Sequence, residues 1–164
     1  MGEEAVSAGT PHPIQGIVAF YPPVTFVNRH RNYETLPPSR TIPGAIIPKR
    51  LGDLFDACYF CDSPDPEADR RKPYASPIFA DIGTFPSKIL LITCEHDSLR
   101  EASEELEAKL KTEGEGKIEV RSQLVKGVGH GWDTMVKKEG APGWKERVDM
   151  YDEAAKFVHD VAAN

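Results

Sequence analysis

The stretch Leu90-Leu-Ile-Thr-Cys-Glu-His-Asp97 decides the reading of this chain, together with Gly127-Val-Gly-His-Gly-Trp132 further on. The first is an apolar, β-branched run that ends on an acid. The second sets a histidine among glycines, just after another strand-like run. Strands of a parallel sheet are buried on both faces and read as near-continuous apolar runs, and groups at their carboxyl ends face one crevice. Adjacent strands lie about 4.8 Å apart, so an acid beyond one and a histidine beyond the next come within reach of each other. A carboxylate on Nδ1 would fix the tautomer of His130 and stabilise its imidazolium, leaving Nε2 to take a proton from a nucleophile. Asp97 and His130 are therefore the candidate catalytic acid and base. Singly, each has a plainer reading: Asp97 as an acid favoured by a helix dipole, and His130 as an idle loop residue. The third member of such a relay is missing, because no Gly-x-Ser-x-Gly elbow occurs in the sequence.

Outward from this pair, Ile14–Tyr21 reads as a buried strand that Pro22-Pro23 stops. An excursion over 24–87 follows, irregular at first and rich in Pro, Arg and Asn. Within it, Leu51, Leu54, Phe55, Cys58 and Tyr59 recur at helical spacing behind Pro48. Lys88–Thr93 is the second strand. Ser98-Leu-Arg-Glu101 then has the form of a capping box, and Leu99, Ala102, Leu106 and Leu110 form the apolar stripe of the helix it opens. Glu105/Lys109 and Glu107/Lys111 are spaced as ion pairs on the wet face, and Gly114 and Gly116 end the helix. Lys117–Val125 begins with period-two alternation, which marks a strand nearer a sheet edge. Trp144, Val148, Tyr151, Ala155, Val158 and Ala162 give a C-terminal amphipathic helix. Strands alternating with helices imply an α/β domain with a parallel sheet and right-handed crossovers.

At 164 residues the chain fits one domain, with 1–13 read as a flexible N-terminus and 14–164 as the folded part. The net charge is -6 and both signs are spread along the chain, which argues against nucleic acid as a partner. No apolar run approaches the roughly 20 residues that span a bilayer. The acidic start Met1-Gly-Glu-Glu4 has no secretory h-region, and Val6 stands where myristoylation wants Ser or Thr. With three cysteines and no signal peptide, the expectation is a cytoplasmic protein with reduced thiols. Cys58, Cys61 and Cys94 are read as core or half-buried. No His/Asp/Glu cluster has metal-ligand spacing and no glycine-rich phosphate loop occurs, so no cofactor is expected. His12, His30 and His159 read as surface residues, and His96 as structural or as a support for the acid.

Four segments carry a resemblance to a known family. Gly16-Ile-Val-Ala-Phe-Tyr-Pro-Pro23 is similar to a strand ending in Tyr-Pro, and Tyr74-Ala-Ser-Pro-Ile-Phe-Ala-Asp81 to a Ser-Pro-Leu-x-Ala segment. Leu91-Ile-Thr-Cys-Glu-His-Asp-Ser-Leu-Arg100 resembles an acid-bearing strand and turn, and Val128-Gly-His-Gly-Trp132 a His-Gly-Phe with Trp for Phe. Their order and spacing resemble the C-terminal half of an α/β-hydrolase fold-3 esterase, of the hormone-sensitive-lipase-like, arylacetamide-deacetylase-like group. The resemblance implies a partial α/β-hydrolase fold whose three parallel strands are the last three of the family sheet. It also implies Asp97 as triad acid, His130 as base, and a small acyl ester as substrate of the complete enzyme.

The family's oxyanion loop and nucleophile elbow should precede Ile14. Ala5-Val-Ser-Ala-Gly9 mimics an elbow, but Met1–Glu4 cannot supply the strand an elbow needs, so Ser7 is not taken as the nucleophile. Ser98 and Ser103 are read as cap and surface. The expectation is a carboxylic-ester hydrolase that lacks the nucleophile in this chain. The alternatives are a non-catalytic remnant binding a partner or a small apolar ligand, or a truncated fragment. Either an N-terminal half or a second copy would be expected at the bare edge of the first strand.

Overall fold

The computed structural model describes residues 14–27, 43–45 and 47–163. The N-terminal stretch 1–13 with Ser7 and His12, and also His30, lie outside the described residues. Three strands, β1 (Gly16–Phe20), β2 (Lys88–His96) and β3 (Glu119–Gly129), pair in parallel in the order β1-β2-β3. Gly16 stands opposite Lys88, and Lys88 opposite Glu119. The expected parallel sheet with flanking helices is thus present.

Central β2 separates the two halves of the core by its own pleat, since successive side chains point to opposite faces. Leu90, Ile92 and Cys94 face one side with Val125, Val128, Trp132 and Phe157. Ile89 and Leu91 face the other, against Ala102, Leu106 and Leu110. That second layer is α3 (Arg100–Glu113), whose stripe lies where the sequence places it. Short α4 (Trp132–Met135) and long α5 (Trp144–Ala162) cover the first face. Two more helices, α1 (Lys49–Tyr59) and α2 (Pro66–Asp69), lie in the excursion. Among the described residues no helix is long and apolar enough to cross a membrane.

Several expectations about local structure need correction. The capping box does not form: Leu99 is the N-cap of α3 and no side chain caps it. Instead the Leu99 N–H donates to Asp97 Oδ1 at 3.0 Å, an Asx turn that leads into the helix without capping it. Ser103 is buried, and its hydroxyl turns back to the Leu99 carbonyl at 3.1 Å. The Glu107–Lys111 pair forms at 2.6 Å, but Lys109 donates to the carbonyls of Ile78 and Ala80, pinning the excursion to α3.

The apolar stripe of α1 faces outward: Leu51, Leu54, Phe55 and Tyr59 are exposed, while Gly52 and Asp56 are buried. The opposite face carries an ion pair, Arg70 to Asp56 at 3.0 Å, with the same guanidinium over the Phe60 ring. Cys58 and Cys61 are exposed with that face, against expectation, while Cys94 is core.

Helix α5 forms as expected, but its inward face is Trp144, Met150, Ala154, Phe157 and Val161. Val148, Tyr151 and Val158 of the expected stripe are exposed. Two apolar stripes one residue apart run along this helix, and packing on the sheet selects the one bearing Phe157. Its approach is close. A Cβ at Gly16 would lie 2.9 Å from Val161 Cγ2, so only glycine lets α5 cross β1 there.

Candidate active site

Strand β2 delivers Asp97 directly, as the residue after His96 at its carboxyl end. Strand β3 runs further than expected, through Gly129, and delivers His130. The extra length includes an irregularity opposite Cys94–His96. Its bend is tied by the Gly127 N–H, which donates to Glu95 Oε2 at 2.8 Å and holds that carboxyl below the usual carboxylate range.

The glycines around His130 have separate tasks. Gly127 has φ +71 and Gly131 has φ +66, values that side chains disfavour. Gly129 lets the 43–45 segment close on the loop as an antiparallel bridge. The Gly129 N–H donates to the Pro43 carbonyl at 2.7 Å, and the Ala45 N–H to the His130 carbonyl at 2.7 Å. Gly44 completes this contact: its φ is +104, and a Cβ there would sit 2.5 Å from the Gly129 carbonyl oxygen. The backbone of His130 is therefore held from the strand side and from the excursion.

Asp97 Oδ2 lies 2.8 Å from His130 Nδ1. The Asp97 side chain is 3% exposed and that of His130 is 24% exposed. With Oδ1 accepting from Leu99 and Oδ2 facing Nδ1, both carboxylate oxygens of Asp97 are engaged on fixed partners. A carboxylate in that position selects the Nδ1–H tautomer and leaves Nε2 as the basic nitrogen. His96, next to the acid, points elsewhere, with Nε2 3.6 Å from its neighbour Glu95.

His130 also forms part of the wall of a cavity of about 320 Å³, whose other lining includes Phe26, Phe55, Tyr59, Leu99 and Ser98. The outward stripe of α1 thus supplies part of an apolar pocket beside the imidazole. Cys94 lies under the site. Burial, with the nearby carboxylates of Asp97 and Asp133, pushes its thiol far up, so it stays protonated and unreactive.

Two neighbours of the pair carry no signal in a strand-by-strand reading. Tyr21 directly follows β1, and its ring centroid lies 4.5 Å from that of His130. Asp133, in the first turn of α4, accepts from the Tyr21 hydroxyl at 2.9 Å and from the Tyr151 hydroxyl at 2.8 Å. Only the Tyr-Pro and His-Gly-Trp segments flagged their neighbourhood. Trp132 itself is wholly buried, and its Nε1 finds no acceptor among the described residues.

A family model described as alpha/beta hydrolase fold matches residues 3–134. The chain belongs to the α/β-hydrolase fold-3 family. Solved structures agree. The hyperthermophilic esterase of the archaeon Pyrobaculum calidifontis superposes with a TM-score of 0.64 at 25% identity, over 92% of this chain and 45% of that one. Carboxyl esterase 2 of the mycorrhizal fungus Tuber melanosporum gives 0.62 at 24% identity, over 90% of this chain and 44% of that one. A Rhizomucor miehei esterase gives 0.63 at 21% identity, covering 92% and 43%. The latter two likenesses establish the fold alone. No functionally curated protein matches the sequence. This α/β-hydrolase chain spans 45% of the length of the Pyrobaculum esterase, and its fold is correspondingly a partial α/β-hydrolase fold.

Proposed function

We propose that this chain is the acid-and-base portion of a serine carboxylesterase of the hormone-sensitive-lipase-like, arylacetamide-deacetylase-like group. The observation that carries the reading is the 2.8 Å approach of Asp97 Oδ2 to His130 Nδ1 at the carboxyl edge of a parallel sheet. In this reading a serine supplied by sequence outside this chain attacks the acyl carbon of an ester. His130 Nε2 takes the hydroxyl proton and then gives it to the leaving alkoxide. Asp97 holds the imidazole and stabilises its positive charge without itself becoming protonated. The acyl-serine is hydrolysed by water, which His130 deprotonates in turn, and the imidazolium then returns that proton to the serine oxygen as the carboxylic acid leaves. Backbone amides of a loop also outside this chain would hold the oxyanion. Strand β1, which has one neighbour among the described strands, would receive the strand of that missing part.

The aromatic cavity beside His130 favours an apolar acyl or alcohol group, and on its own it also suits a non-catalytic binder of small apolar ligands. One experiment separates the two. The chain is assayed alone with p-nitrophenyl butyrate and a fluorophosphonate label, and again joined to the N-terminal part of the Pyrobaculum esterase. The chain alone is expected to show no turnover and no labelled serine. The joined protein is expected to hydrolyse the ester and to lose activity roughly 10⁴-fold with Asp97→Asn. A folded joined protein whose activity is indifferent to His130→Ala would exclude the esterase reading.

A further inference from the structure

The residue just after β1 adopts a strained conformation. Tyr21 has φ +38, in the left-handed region where a non-glycine residue is strained. Its N–H nevertheless donates to the Ile92 carbonyl at 2.6 Å, so the strand ladder continues through it. The turn thereby sends the side chain across the carboxyl edge of the sheet. There the phenol ring meets the His130 imidazole at 4.5 Å with the planes at 60°, and the hydroxyl meets Asp133.

Asp133 is an expensive choice. It is 4% exposed, and among the described residues no cation pairs with it; its two oxygens are satisfied by two neutral phenols. Burying a carboxylate this way is costly compared with an apolar side chain of similar size. What it provides is position. Asp133 sits three residues beyond His130, so it joins the histidine's own loop to the end of β1 through Tyr21 and to α5 through Tyr151. Asp97 engages the imidazole at Nδ1, at its edge, while Tyr21 packs against it as a ring.

We propose that Tyr21, held by Asp133, is a positioning residue for His130: it fixes the plane of the imidazole so that Nδ1 stays on Asp97. This rests on the acid–base reading of Asp97 and His130. The strained turn and the buried carboxylate then belong to one device. The turn aims the ring, and the carboxylate keeps it from swinging away.

The test uses the chain itself, labelled with ¹⁵N, and reads the tautomer of His130 and the exchange rate of its Nδ1 proton by NMR. The wild type is expected to show the Nδ1–H tautomer with a slowly exchanging proton. Tyr21→Leu removes the ring and should speed that exchange at least tenfold. Tyr21→Phe keeps the ring, loses the tether, and should give a smaller increase. Tyr151→Phe removes the other phenol from the same carboxylate and should leave the proton as in the wild type. An Nε2–H tautomer in the wild type would overturn the acid–base reading and this proposal with it. A protected Nδ1 proton unchanged in both Tyr21 variants would overturn the positioning role alone. So would a Tyr151→Phe effect as large as that of Tyr21→Leu, since the cause would then be general loosening. If Tyr21→Leu does not fold, Tyr21→Phe against Tyr151→Phe decides the question.

Discussion

Asp97 and His130 are 33 residues apart in sequence and joined Oδ2 to Nδ1 at 2.8 Å. The acid's other oxygen holds the amide of Leu99, at the start of α3. One carboxylate therefore serves both the site and the helix. Asp97→Ala should lower unfolding stability by about 1–3 kcal/mol, because a buried N–H loses its acceptor. Asp97→Asn keeps an oxygen for Leu99 and should cost less. Urea unfolding of the two variants checks this, and equal midpoints would mean that the Leu99 bond contributes nothing.

The loop of His130 rests on Gly44, whose missing side chain leaves room for the Gly129 carbonyl. Gly44→Ala introduces both a clash and a strained φ, and should cost about 1–3 kcal/mol. It should also shift the imidazole resonances of His130. An unchanged midpoint with unchanged resonances would show that the 43–45 segment does not brace the site.

Burial and then the Asp133 bond hold the Tyr21 hydroxyl well above the ordinary phenol range. For Tyr151 the Asp133 bond comes first and burial second, with the same direction. A raised folded value means that this contribution to stability is complete below the unfolded phenol value of about 10 and is lost as pH rises through the folded value. Urea midpoints measured from neutral pH upward should therefore fall above about pH 10. The fall should be smaller in Tyr21→Phe. Identical alkaline profiles for the two proteins would contradict the assignment.

Strand β1 packs on both faces, Val18 and Phe20 toward one layer and Ile17 and Ala19 toward the other. It lies at one end of the described sheet order. Such an edge invites a partner strand. The isolated chain should self-associate through β1 or melt at low temperature, as read by size-exclusion chromatography with light scattering and by a thermal scan. A monodisperse monomer with a sharp transition above about 60 °C would show that the edge is closed some other way.

The sheet, its parallel sense and the candidate pair were all legible because they depend on β-branched runs and on what stands at their carboxyl ends. The helices were legible as helices, but two of their faces were not. On α1 the inward face carries Gly52 and Asp56, the latter paired with Arg70, while Leu54 and Phe55 face outward, an arrangement that apolar periodicity cannot register. On α5 two apolar stripes competed, and the contact of Val161 with Gly16 belongs to tertiary packing rather than to local pattern. The Asx turn of Asp97 was hidden by what looked like a cap, Ser98, one residue later. Tyr21 and Asp133 escaped notice because their partnership spans 112 residues and needs a strained turn to form.

The contact of Val161 with Gly16 has a consequence for the order of events during synthesis. The first strand of the described sheet is roofed by the last turn of α5, and the Lys88 ammonium, beside it in register, donates to the Asp160 carbonyl at 3.0 Å. While the chain emerges from a ribosome, β1 and β2 can pair long before that roof exists. Their apolar face must wait, at roughly 5–20 residues per second, for α5 to leave the exit tunnel. That face of the sheet is thus open to chaperones and to misfolding until α5 has emerged and docked.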